Sequence, residues 1–212
     1  MGKQEIQELQ TPQGLVQLRT YVRDEELARY RLDLGIGVFS RYRSILTSLP
    51  SLMEQASHPD TNLCLALHEG DTIVGYAVLR QPPPGERWGE MKPPLMYELF
   101  GENARGWRGL GLMKPMIHLV VNDPANDDRI IYIVGYSWHW DLDETGKDTQ
   151  AYRETIIHLL TPLGFKQYPT NEPNVSLRPE NLFMVRLGKN LEGDRTIRRR
   201  LTNLLFGIQE DD

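Results

Sequence analysis

"GENARGWRGLGLMKP", residues 101–115, sets four glycines and two arginines between one apolar run and another. Glycines clustered this way let backbone amides approach an anion and adopt φ > 0 where a turn requires it. The run before it, LMYELFGEN (95–103), reads as a strand, and LMKPMIHLVV (112–121) reads as a helix. Proline is tolerated only in a first helical turn, so Pro115 makes the helix begin late, near Leu112 or Met113. Such a helix start offers unpaired amides and the positive end of the macrodipole. Each anion contact there is worth roughly 0.3–1 kcal/mol, and up to about 2 kcal/mol when partly buried. The stretch reads as a phosphate-binding loop.

Three known loops compete for it. The nucleotide P-loop fits the spacing of Gly106 and Gly111, but Leu112 and Met113 stand where its lysine and hydroxyl belong, so it is rejected. The dinucleotide fingerprint begins with Gly109 and Gly111, but Lys114 replaces its third glycine and the motif follows the fourth strand rather than the first. The third is the pyrophosphate loop of the GNAT acetyltransferases, R-G-x-G-x-[GA]. Arg108-Gly109-Leu110-Gly111-Leu112-Met113 is similar to it at every place but the last, with Trp107 in the usual aromatic position before the arginine.

Outward from the loop, GLVQLRTYV (14–22) alternates as a strand, and Asp24 is expected to cap a helix that runs to Gly35 and Gly37. A second helix is expected from Ser40, carrying Tyr42, Ile45, Leu46, Leu49, Leu52 and Met53, with Pro50 kinking it. NLCLALHEG (62–70) and DTIVGYAVLR (71–80) form a hairpin about Glu69-Gly70-Asp71. Five prolines make residues 81–94 a loop. RIIYIVGYS (129–137) reads as a central strand and TQAYRETIIHLL as a helix begun by Asp148 and stopped at Pro162 and Gly164. FKQYP and NLFMVRLG are the last strands. The expected order is β-α-α-β-β-β-α-β-α-β-β.

At 212 residues, 40% hydrophobic and 25% charged, the chain has the size and balance of one soluble domain over 1–212, with a core at about 12–190 and a tail helix at about 192–207. Its net charge of −5 argues against nucleic acid as a partner. A single cysteine, Cys64, no signal-like N-terminus and no apolar run of 18 residues make a cytoplasmic protein the expectation, with no transmembrane segment. Cys64 reads as a core residue. His58, His68, His118, His139 and His158 lack ligand spacing, so no metal is expected. An oligomer is compatible with the sequence.

"YSWHWDL" (136–142), Lys147, Asp148, Tyr152 and Arg153, "NEP" (171–173), "PEN" (179–181), "RLGKN" (186–190) and the upstream "GERW" (85–88) together resemble the acetoin-utilisation protein A family of GNAT enzymes, over roughly residues 60–190. The resemblance implies a GNAT acyl-CoA N-acyltransferase fold of the α/β (α+β) class. That fold has a mixed central sheet of about seven strands, flanked by about four helices, here with a C-terminal helix. It implies acetyl-CoA as co-substrate, held by Asn103, Ala104, Trp107, Arg108, Gly109, Leu110, Gly111, Leu112 and Met113. It implies an acetyltransferase acting on a protein lysine, with acetyl-CoA synthetase as the family's target class and direct transfer in a ternary complex.

The same resemblance places Glu102 where several GNATs keep a general base, beside the splayed strands four and five. Alternatives are Glu98 and a plain solvated carboxylate at Glu102 paired with Arg105. If the strand continues, Ser137, His139 and Asp141 share one face about 7 Å apart, too far for a triad. His139 reads as a base, an acceptor contact or a structural hydrogen-bonder, and Trp138 and Trp140 as core or wall. The tyrosine that GNATs often use as acid is replaced by Leu160, leaving Tyr136 or Tyr152 as substitutes. The acidic run Asp141–Glu144 reads as attracting a cationic acceptor. The tail DRTIRRRLTNLLFG puts Ile197, Leu201 and Leu204 opposite arginines, a helix docked on its own domain or a partner surface. A rival reading is a catalytically weak GNAT-fold binding module, marked by Met113 and Leu160.

Overall fold

The computed structural model describes residues 2–37 and 46–208. The chain divides into two compact units. One holds the chain through Arg80 together with Leu99–Asp123, the other Gln81–Glu98 together with Pro124 onward.

In the first unit β1 (Ile6–Thr11) pairs antiparallel with β2 (Gly14–Arg19). β2 pairs with β4 (Asn62–His68), and β4 with β5 (Thr72–Arg80), all antiparallel, while β3 (Arg31–Leu32) runs parallel beside β5. β4 and β5 are buried almost end to end, as their near-continuous apolar sequences require. The hairpin between them turns with positive φ at Glu69 and Gly70. The second half of β6 (Met96–Asn103) neighbours β5.

Four expectations are corrected here. β1 is an added strand, nearly all exposed, so no alternating apolar signal announced it. The strand read at 14–22 ends at Arg19. The helix expected to run from Asp24 to Gly35 is one turn, α1 (Asp24–Leu27), with Arg23 rather than Asp24 at its cap. Beyond it the backbone amides of Arg31 and Asp33 bond to Asp71 and Ile73, so tertiary pairing makes β3 where local propensity favoured helix. Finally, α2 (Leu49–Ser57) carries Pro50 in its first turn, where proline starts a helix instead of kinking it. The expected start at Ser40, with Tyr42 and Ile45, lies outside the described residues. α3 (Met113–Val121) begins where Pro115 required and buries Met116, Ile117, Val120 and Val121.

In the second unit the first half of β6 pairs in parallel with β7 (Ile130–Gly135), from Met96↔Ile130 to Glu98↔Tyr132. β7 pairs antiparallel with β9 (Leu182–Leu187), and β9 with the two-residue β8 (Lys166–Gln167). One-turn helices α4 (Leu142–Thr145) and α6 (Pro173–Ser176) flank α5 (Thr149–Leu160), whose first turn is capped by Asp148 accepting from the Ala151 amide. α7 (Arg195–Phe206), capped by Asp194, buries Ile197, Leu201 and Leu205 in a core with Trp88, Met96, Tyr132 and Phe183. The tail is thus a docked helix. The described residues carry nine strands against the seven expected, β1 and β3 being the additions.

Candidate active site

In the first unit β6 runs into a 3-10 turn, Arg105–Trp107, and then through Arg108–Leu112 into α3. Trp107 is buried and its ring meets that of His68, centroids 4.7 Å apart. Ala104 and Leu112 are fully buried, so the loop is fastened at both ends. Between them Gly109 and Gly111 have φ of 72° and 82°, the left-handed region that disfavours any side chain. A Cβ added at Gly106, Gly109 or Gly111 meets nothing within 4 Å, so open space lies over the backbone. No side chain caps α3, which leaves its first-turn amides for an outside acceptor. This donor set, open and uncapped, fits a pyrophosphate. Met113 is half-buried as the first residue of α3, and Asn103 is buried at the end of β6.

Glu102, beside Asn103, is buried rather than solvated. Its Oε1 accepts from the Gly37 amide at 2.8 Å and lies 3.8 Å from Arg108 Nη2; Oε2 accepts from the Tyr76 hydroxyl at 3.4 Å. The Arg108 side chain turns back from the loop, its Nε donating to the Asn103 carbonyl at 3.4 Å. The plain surface-carboxylate reading of Glu102 is therefore corrected. Tyr76 and Gly37 escaped the sequence reading because nothing in their neighbourhoods marks them; only the fold brings them to this carboxylate.

The second unit holds the YSWHW run. The expectation that the strand continues through it is overturned: β7 ends at Gly135 and Ser137–His139 form a 3-10 turn, so Ser137, His139 and Asp141 share no strand face. Tyr136 stacks on Trp138 with centroids 4.8 Å apart and planes 12° from parallel, and His139 stands edge-on to both rings. Asn181 of the PEN run pins the turn, its Oδ1 accepting from the Ser137 amide at 2.8 Å while its Nδ2 donates to the Asn174 carbonyl. Arg87 of GERW donates to Asn171 and lies 3.5 Å from Glu172, so the GERW and NEP runs meet as well. Trp140 stacks on Tyr152. Asp141 is fully buried, which removes it from the acidic run expected to face an acceptor; Asp143 and Glu144 remain exposed.

Burial raises the Tyr136 phenol to about 12, with the carboxylates of Glu172, Glu86 and Glu98 adding to the effect. It remains protonated and can donate but not abstract a proton. His139 keeps an exposed edge, yet desolvation by the protein around its ring lowers its pKa, so it is neutral at pH 7. Leu160 is buried in the core, and Cys64 is fully buried with its thiol raised to about 12 by desolvation, as a core residue should be. Among the described residues no group of three or more His, Cys, Asp or Glu could hold a metal, and no helix is long and apolar enough to cross a membrane.

No family model matches the chain. It is 32% identical over 185 residues to acetoin utilization protein AcuA of Bacillus licheniformis, covering 87% of this chain and 86% of that protein. The AcuA of Bacillus subtilis is 30% identical over 184 residues, covering 86% of each. Among solved structures, an acetoin utilization protein from Exiguobacterium sibiricum matches with a TM-score of 0.88 at 27% identity, covering 98% of this chain and 96% of that one. The GNAT domain of S. lividans PAT matches with a TM-score of 0.55 at 11% identity, over 85% of this chain and 95% of that one, a likeness of fold. The chain belongs to the acetoin utilization protein AcuA family and carries the GNAT acetyltransferase fold.

Proposed function

We propose that this N-acetyltransferase binds acetyl-CoA through the amides and glycines of residues 109–113 and acetylates a lysine of a metabolic enzyme, of acetyl-CoA synthetase type, by direct attack in a ternary complex. The observation that carries the reading is the buried Glu102 carboxylate, held by the Gly37 amide and the Tyr76 hydroxyl at the root of the glycine loop.

Lysine, with a pKa near 10.4, is neutral in only about one molecule in 2,500 at pH 7, a handicap of roughly 4.6 kcal/mol. Glu102 takes the ammonium proton, directly or through a water. The freed nitrogen attacks the thioester carbonyl and a C–N bond forms; the nitrogen then gives up its second proton to solvent as the C–S bond breaks, and CoA leaves as a thiolate. Because a thiol has a pKa of about 8.5, the leaving sulfur needs no strong acid and takes its proton from solvent. This fits the burial of Leu160 where other GNATs carry a tyrosine.

The test is to incubate the protein with acetyl-CoA and an acetyl-CoA synthetase, map acetyl-lysine by mass spectrometry and assay the synthetase. One dominant acetylated lysine with loss of synthetase activity supports the reading. Acetylation no greater than in the absence of the protein sinks it.

A further inference from the structure

Within the first unit, the root of the glycine loop is held from outside its own strand–loop–helix segment. Gln13, in the two-residue turn between β1 and β2, donates from Nε2 to the Gly106 carbonyl at 2.8 Å. The Trp107 amide, at the other end of the same peptide unit, donates to the Ala104 carbonyl at 2.8 Å. That peptide cannot rotate without breaking a hydrogen bond. The Trp107 ring meets His68, which closes β4 and pairs with Val16 of β2. His68 Nε2 in turn stands 3.4 Å from the position a Cβ on Gly14 would take. The hairpin tip thus reaches the loop root twice, directly through Gln13 and by way of Gly14 and His68.

The tip is itself fixed. Thr11 Oγ1 donates to the Gly14 carbonyl at 2.8 Å and accepts from the Gln13 amide at 3.1 Å, and the ring of Pro12 locks its φ. The loop beyond the root is the opposite. Among the described residues the amides of Gly109, Leu110 and Gly111 donate to nothing, and glycine has the most backbone freedom to lose. Every residue ordered only when a ligand arrives subtracts from affinity, so a root fixed beforehand raises it.

We propose that Gln13 and His68 are positioning residues for the pyrophosphate loop: the β1–β2 turn holds the Gly106–Trp107 peptide in place and so sets the affinity for acetyl-CoA. The assignment rests on the reading of this loop as the acetyl-CoA site. Both residues act through the loop backbone and not on the reacting atoms. The proposal also gives β1 a task, since this exposed strand carries the turn that reaches the loop.

The test is a calorimetric titration of the full chain with acetyl-CoA, beside nitrogen relaxation of the Gly109 and Gly111 amides without ligand. Gln13→Met keeps the length of the side chain and removes its donor. It is expected to raise the Kd about three- to tenfold and to lower the order parameters of both amides. His68→Ala should do the same, whereas His68→Phe, which restores a ring against Trp107, should bind as the parent does. A Gln13→Met variant that binds acetyl-CoA like the parent overturns the proposal, as does one whose loop amides keep the parent's order. His68→Phe no tighter than His68→Ala overturns it too. Gln13 is exposed, so its variant should fold; if it does not, the His68 pair decides by the same criteria. A parent that takes no acetyl-CoA sinks the proposed function itself. A parent that binds, with a Gln13→Met that binds equally, sinks only this inference.

Discussion

Arg108 Nη2 lies 3.8 Å from Glu102 Oε1, so the first residue of the glycine loop motif is tied to the carboxylate proposed as base. Both side chains are largely buried, which spares the pair most of the solvent screening that weakens exposed ones. Glu102→Gln keeps the shape and removes the proton affinity. Turnover is expected to fall on the order of 10²–10⁴-fold, with acetyl-CoA binding unchanged. Steady-state kinetics beside a direct binding measurement check both halves, and near-normal turnover would move the role to His139 or to solvent.

Gly111 combines a φ of 82° with empty space where a Cβ would stand. A side chain there strains the backbone by roughly 1–2 kcal/mol but meets no protein atom, so the domain should still fold. Saturating the parent with acetyl-CoA at about 100 times its Kd should stabilise it by about 2.7 kcal/mol. Gly111→Val is expected to lose that gain while keeping a cooperative melt. An unchanged thermal shift in the variant would place the cofactor elsewhere.

The strand–loop–helix unit was legible because each part has a local cause: apolar strand, glycines that take positive φ, and Pro115 fixing the helix start. The hairpin at Glu69-Gly70 and the Asp148 cap were legible for the same reason. Errors came where distant segments decide. Arg31 and Leu32 lie in a helix-favouring run yet pair with β5, and the exposed β1 has no periodicity to read. The YSWHW run looked like more strand because its apolar residues continue, but the Asn181 carboxamide caps the Ser137 amide and folds it into a turn. The partners of Glu102 come from Gly37 and Tyr76, far apart in sequence, and no local pattern foretells them.

Cys64 gives the fold an alkaline limit. Its thiol rises from 9.0 to about 12 by burial, so the unfolded chain ionises first as pH climbs. The stabilisation is fully present below pH 9 and is lost progressively between pH 9 and about 12. The slope approaches about 1.4 kcal/mol per pH unit. Denaturant melts at pH 8 and pH 10 should show stability falling more steeply in the parent than in Cys64→Ala. Parallel losses in the two proteins would mean that the thiol ionises in the folded state too.

Leu201 tests the tail. It is 1% exposed on α7, and it packs with Ile197 and Leu205 into the core that holds Trp88, Tyr132 and Phe183. A helix used mainly to bind a partner would tolerate loss of this side chain, whereas a docked one would not. Leu201→Ala leaves a cavity in that core and should lower stability by roughly 2–5 kcal/mol. Arg199→Ala, on the exposed side of the same helix, should change it by less than about 0.5 kcal/mol. Because Tyr132 and Phe183 sit on β7 and β9, the loosened core should also reach the turn that follows β7. Amide exchange at Ser137 should therefore accelerate in Leu201→Ala and stay at the parent rate in Arg199→Ala. Equal stability of Leu201→Ala and parent would show that α7 contributes nothing to the core.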